Sequence, residues 1–261
     1  MAITVIMPPY YGVILQNGSS GPDVALVQTW LNGVRSKYPQ IPLLSVDGQY
    51  GSNTTTAVKT FQILNSITAD GRTGSATWNA LYIAYAGIQG EGEIYCGLVS
   101  SSGDRGAVVK SIQQRLGTVK SLYTAIQGVA FDGVFGTDSA AALRQFQPQF
   151  GLSADGAYGG LSFNLLASAL NGVQTGNPLR VTTRYPGYAL TLGSSGDNVR
   201  FVQSYLSRLG GNIPQLTIDG QYGNLTRNAV MQFQASKRLQ IDGVVGPATW
   251  SALIVAFNAT L

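Results

Sequence analysis

Carboxylates on tight turns are the first candidates for chemistry in this chain. The stretch Asp47-Gly48-Gln49-Tyr50-Gly51 returns as Asp132-Gly133-Val134-Phe135-Gly136 and as Asp219-Gly220-Gln221-Tyr222-Gly223. A second turn follows each: Asp70-Gly71-Arg72-Thr73-Gly74, Asp155-Gly156-Ala157-Tyr158-Gly159 and Asp242-Gly243-Val244-Val245-Gly246. Two carboxylates can cleave a glycosidic bond, one as acid and the other as base or nucleophile. The repetition points elsewhere. Six of the ten aspartates stand at matched positions before a glycine, where a carboxylate accepts backbone N–H groups and tolerates a tight turn. Asp47, Asp70, Asp132, Asp155, Asp219 and Asp242 are therefore assigned as structural turn residues, and no residue is assigned as catalytic. The remaining acids are Asp23, Asp104, Asp138, Asp197, Glu91 and Glu93, with both glutamates in a linker.

Other chemistries are excluded by composition. The chain has no histidine, which removes Ser-His-Asp and Cys-His nucleophile systems and His-ligated zinc. Its one cysteine, Cys96, allows neither an internal disulfide nor a thiolate metal site, and reads as a small semi-buried residue. No metal and no cofactor are expected. Charged residues make up 11% of the chain, less than half the usual share, so Ser, Thr, Asn, Gln, Gly and Tyr must cover most of the surface. The net charge of +4 comes from scattered Lys and Arg with no basic run, so a nucleic-acid partner is not expected. No apolar run reaches the ~20 residues of a membrane span. The apolar Ala2 to Met7 is short, lacks a basic flank and runs into Pro8-Pro9, which gives no recognisable signal peptide.

The elements that must position the turns follow from periodicity. A helix is predicted from Pro22, with Val24, Val27, Gln28 and Leu31 at i, i+3, i+4 and i+7 and with Trp30 widening the stripe; it ends before Pro39. Asp23 in its first turn suits the positive end of that helix. After Gly51 a second helix carries Ala57, Val58, Phe61 and Leu64 inward with Thr54 in its first turn, and after Gly74 a third carries Thr77, Trp78 and Leu81. The same set recurs twice, with 85 residues from Asp47 to Asp132 and 87 from Asp132 to Asp219. The second copy diverges: Phe163 stands at the Trp position, Gly160 starts the third helix, and Pro148 should interrupt the second. The third copy lacks three residues between its first helix and its turn, an indel in a loop. Gly87 to Glu93 and Gly172 to Arg184 read as linkers, and a Tyr-x-Gly leader (Tyr10-Gly12, Tyr95-Gly97, Tyr185-Gly187) precedes each copy.

The run from Gly18-Ser19-Ser20-Gly21-Pro22-Asp23 through Gln28, Asp47-Gly48-x-Tyr50-Gly51, Phe61-Gln62, Asp70-Gly71-x-x-Gly74 and Thr77-Trp78 resembles the peptidoglycan-binding-like domain. The resemblance spans nearly the whole chain. It implies an all-α fold: three tandem small three-helix bundle domains joined by short linkers, with short extended leader segments, over residues 1–88, 89–173 and 174–261. It also implies binding of peptidoglycan or its fragments without catalysis, at the cell wall, a spore surface or outside the cell. Ligand contacts, where they exist, are expected on the outer rim of the turns at Tyr50, Phe135 and Tyr222, with Gln49, Gln221 and Arg72 beside them; for the three aromatics a packing role, as core or rim residues closing the bundle, is the favoured reading. The counterparts of Arg72 are Ala157 and Val244, so a charged site is not shared by the copies. A second functional expectation is a self-assembling structural protein, a homo-oligomer or polymer in a spore layer, coat or filament, favoured by the charge-poor surface.

Overall fold

The computed structural model describes residues 10–89 and 95–261; the Ala2 to Met7 stretch, Pro8-Pro9, Glu91 and Glu93 lie outside them. Among the described residues the regular structure is helical: α1 (Pro22–Gly33), α2 (Ser52–Leu64), α3 (Ser75–Gln89), α4 (Ala107–Val119), α5 (Thr137–Phe146), α6 (Gly160–Thr175), α7 (Asp197–Leu209), α8 (Asn224–Ser236) and α9 (Pro247–Asn258). The all-α expectation holds, three helices to a repeat. A 3₁₀ turn, Val34–Ser36, closes α1 ahead of Pro39. Pro148 does interrupt the second repeat: α5 stops at Phe146 and the chain tightens into a 3₁₀ turn over Gln147–Phe150, since proline cannot supply the next intrahelical N–H. The two predicted linkers begin later than expected, because α3 continues to Gln89 and α6 to Thr175; Gly87 and Gly172 lie within the helices.

The described residues pack as two compact units, one gathering those up to Arg115 with Ala130–Ala140 and Ala157–Phe163, the other holding Leu116–Val129, Ala141–Gly156 and Asn164–Leu261. In the first, α1 lies against α2 and α3. The stripe read from periodicity forms its core: Val24, Val27, Leu31, Val58 and Phe61 are fully buried, and Trp30 meets Trp78 edge-on at 4.9 Å between ring centroids. In the second, α7 packs on α8 and α9, and Tyr205 meets Phe257 at 4.5 Å.

The leaders belong to the bundles they precede. Tyr10 packs on Trp78, Tyr95 on Phe163 and Tyr185 on Trp250, with ring centroids 6.3, 5.8 and 6.1 Å apart. Each leader then forms one antiparallel bridge to a second turn (Leu15 to Thr73, Ser100 to Tyr158, Leu190 to Val245), and each loop before a first helix bridges a first turn (Ser20 to Gln49, Arg105 to Val134, Ser195 to Gln221). Extended leaders are thus present as single bridges.

Candidate functional site

Six buried glutamines hold the six Asp-Gly turns. Gln28 donates from Nε2 to Asp47 Oδ1 at 2.8 Å, to Gln49 O at 3.0 Å and to Thr54 Oγ1 at 3.2 Å, while its Oε1 accepts from Gly48 N at 2.9 Å. Asp47 Oδ1 also accepts from Gln49 N at 2.8 Å. Gln113 and Gln203 treat Asp132 and Asp219 alike, each at 2.8 Å. Gln62 on α2, Gln147 in the 3₁₀ turn after α5 and Gln234 on α8 do the same for Asp70, Asp155 and Asp242, at 2.9, 2.5 and 2.8 Å. One amide therefore serves both its donor and its acceptor inside the bundle, as burial requires.

The sequence reading missed the glutamines as partners. The signal was present as spacing: the glutamine of the second turn stands 8 residues before its aspartate in every copy. The first-helix glutamine stands 19 before in two copies and 16 in the third, yet all three contacts measure 2.8 Å. The missing three residues are taken up by the loop between.

Hydrogen bonding sets the protonation of these turns. The glutamine amide foremost for Asp47 and Asp219, and the backbone N–H two residues on foremost for Asp70, Asp132 and Asp242, hold the carboxyls below the ordinary range. A carboxylate stabilised as the anion makes a poor proton donor near neutral pH.

The structure corrects the placement of the three aromatics. Tyr50 and Phe135 are 1% exposed and Tyr222 is 2% exposed, so they line the core and not the outer rim. The Tyr50 hydroxyl donates inward to Gly71 O at 3.0 Å and lies 3.1 Å from Thr73 Oγ1; Tyr222 reaches Gly243 O at 2.9 Å. Burial pushes the Tyr50 hydroxyl up to about 12. Each ring closes the space between first and second turns, and apolar area outweighs what a half-exposed stacking platform would offer. Gln49, Arg72 and Gln221 are exposed beside the turns, as expected, and the fold does not bring the aromatic three to them as one surface.

Within the first unit, the faces of the first two repeats meet. Tyr11 donates its hydroxyl to Asp132 O and its ring sits under Lys110 Nζ at 5.8 Å. Asp23 does not serve its own helix; its carboxylate accepts from Ala107 N and Val108 N at the start of α4. Two clefts open elsewhere: about 530 Å³ between Lys37, Tyr38, Asn65 and the Ala80–Gly87 face of α3, and about 610 Å³ between the ends of α7 and α8 beside Asn212 and Lys237.

Small three-helix modules, each locked by two glutamine-held Asp-Gly turns and repeated in tandem, define an all-helical repeat protein. The chain matches the family described as "Putative peptidoglycan binding domain" three times, over residues 20–81, 105–166 and 195–253, and it belongs to that family. It is 35% identical over 156 residues to the "Probable N-acetylmuramoyl-L-alanine amidase" of Bacillus licheniformis, covering 57% of this chain and 43% of that protein. To the "Zinc D-Ala-D-Ala carboxypeptidase" of Streptomyces albus G it is 44% identical over 64 residues, 24% of this chain and 25% of that one. Among solved structures it is similar to the SleB N-terminal domain, at 32% identity over 28% of this chain and 94% of that chain, with a TM-score of 0.25. The chain spans less than half the length of these curated relatives.

Proposed function

We propose that this chain is a non-catalytic binder of bacterial cell-wall peptidoglycan, organised as tandem modules over residues 1–88, 89–173 and 174–261. The observation that carries the proposal is the threefold family match on one chain. The aspartates support the non-catalytic part, because each turn carboxylate is engaged by a glutamine amide. Modules in series gain avidity, since later contacts to one wall polymer are intramolecular. Such a protein resides at the cell wall, a spore surface or outside the cell, and its partner is peptidoglycan or a fragment of it. Co-sedimentation of the purified full chain with insoluble sacculi, run beside a dye-release assay on the same sacculi, is the test. Pelleting without released dye is expected; failure to pellet would sink the binding proposal, and released dye the non-catalytic one.

A second reading, self-assembly of the same modules into a coat or filament, rests on the surface. Leu43, Ile63, Ile83, Leu161, Leu225 and Val255 are each at least 66% exposed on a chain with 11% charged residues. Negative-stain microscopy across a concentration series is expected to show ordered tubes, sheets or filaments; a monodisperse monomer at every concentration would count against it.

A further inference from the structure

The first and second repeats carry the same cleft, and in the second repeat the chain itself fills it. At the 85-residue offset between these repeats, Tyr38, Asn65 and Gly87 correspond to Tyr123, Phe150 and Gly172. The non-helical segment from Asn177 to Thr182 lies there, held through its backbone. Asn177 N caps α6 by donating to Gly172 O at 2.9 Å; beyond it Tyr123 donates its hydroxyl to Leu179 O at 2.8 Å, Thr182 N donates to Gln149 O at 2.7 Å, and Asn258 bonds both Val181 N and Val181 O. A Cβ at Gly172 would come within 2.7 Å of Asn177 O, so the glycine admits the segment. This shape is a peptide-holding groove, with backbone polar groups supplying the bonds and a tyrosine hydroxyl reading a carbonyl.

In the first repeat the groove stands open at about 530 Å³, and its lining differs at several positions. Lys37 replaces Leu122, Asn65 replaces Phe150 and Ala80 replaces Leu165, while Ile83 replaces Ser168. The lining carries one cation and no acid, an apolar floor in which Ile67, Ile83 and Ile88 flank small alanines, and the Tyr38 hydroxyl bonded to Asn65 Oδ1 at 3.0 Å. Lys37 Nζ stands 5.2 Å over the Tyr38 ring, at the rim. The first groove thus keeps an apolar floor and adds a rim cation and an amide, which suits a peptide with small apolar side chains and a carboxylate end.

We infer that the cleft beside Lys37, Tyr38 and Asn65 takes the peptide stem of peptidoglycan, lying along α3 as Asn177 to Thr182 lie along α6, with its terminal carboxylate toward Lys37. The assignment rests on the peptidoglycan-binding proposal above and adds to it the part of the polymer that is bound and where.

The test titrates a synthetic stem pentapeptide ending in D-Ala-D-Ala into the full chain, as the free acid and as the C-terminal amide. The free acid is expected to bind, Lys37→Ala to weaken it about fivefold, and the amide to be insensitive to that change, the signature of one screened charge pair. Ala80→Trp should abolish binding by filling the floor; Lys37 is exposed, so Lys37→Ala keeps the test independent of any folding defect at Ala80. Equal binding of free acid and amide by parent and Lys37→Ala would overturn the inference. So would tighter binding of the peptide Asn-Pro-Leu-Arg-Val-Thr, which would make the groove a protein-segment site. The same variants pelleted with sacculi separate the two claims: sacculi that bind parent and variants alike, with no competition by the stem peptide, overturn this inference while wall binding stands. A chain that binds the stem peptide but not sacculi supports the groove and overturns the wall proposal.

Discussion

Asp23 in α1 accepts the backbone N–H of Ala107 at 2.8 Å, so a side chain of the first repeat caps a helix that starts 84 residues later. Val108 N adds a second bond at 2.9 Å. The first N–H groups of a helix have no partner within it, and a carboxylate there also meets the positive end of the dipole.

This buried cap makes stability depend on pH. Burial pushes the Asp23 carboxyl up to about 6 from 3.8, against the pull of the two N–H bonds, with Asp104 adding repulsion. The folded chain thus holds this proton up to about pH 6 and the unfolded chain only to 3.8. The stabilising contribution is full below 3.8 and is lost as pH rises through about 6, a swing of about 3 kcal/mol. Asp47, Asp70, Asp132, Asp219 and Asp242 act oppositely, losing their contribution only as pH falls below the ordinary carboxylate range. Thermal unfolding is expected to give a higher Tm at about pH 4.5 than at about pH 7.5, and Asp23→Asn to flatten that slope.

The glutamine latches should cost more than ordinary hydrogen bonds to remove. Gln28→Leu strands the Gly48 N–H inside the bundle and Gln203→Leu the Gly220 N–H, while Thr54 and Thr226 lose their amide donor and keep only their bonds to Gln49 O and Gln221 O. Each substitution is expected to lower stability by about 2–4 kcal/mol in urea titrations, because buried groups lose a shared partner at once.

Two glycines with similar backbones should respond differently to alanine. Gly21 has φ +115 and open space at its Cβ position, whereas Gly106 has φ +130 and a Cβ there would stand 2.1 Å from Asp23 Oδ2. Both substitutions carry the left-handed strain of about 1–2 kcal/mol. Gly106→Ala also evicts the cap and is expected to cost about 1–2 kcal/mol more, and to erase the pH slope that Gly21→Ala keeps.

Cys96 should be inert in the folded chain. It is 3% exposed, burial pushes its thiol up, and its Sγ lies 3.7 Å from Leu98 O. Alkylation by iodoacetamide at about pH 8 is expected to proceed only with unfolding, which mass spectrometry across a urea series reads directly.

Much of this architecture was legible in advance because it rests on local chemistry. The helix starts at Pro22 and Pro247 and the break at Pro148 follow from the fixed φ and missing N–H of proline. The turn role of Asp47 follows from its place before a glycine that needs φ +69. The site was legible only in part. Gln49, Arg72 and Gln221 stand exposed as expected, while Tyr50 and Tyr222 were misplaced because a tyrosine beside a turn can face either way, and the neighbouring helices decide.

By itself the sequence determined the repeats, the helices, the turns and the want of histidine or paired thiols, since composition, period and backbone allowance act over a few residues. Only the tertiary structure decided which carboxylate meets which N–H. Asp23 reads as a first-turn acid of its own helix, yet it caps α4, because burying it against Gly106 leaves those two amides as its partners. Likewise Asn177 to Thr182 read as linker, and packing made them the occupant of a groove whose counterpart beside Lys37 stands open.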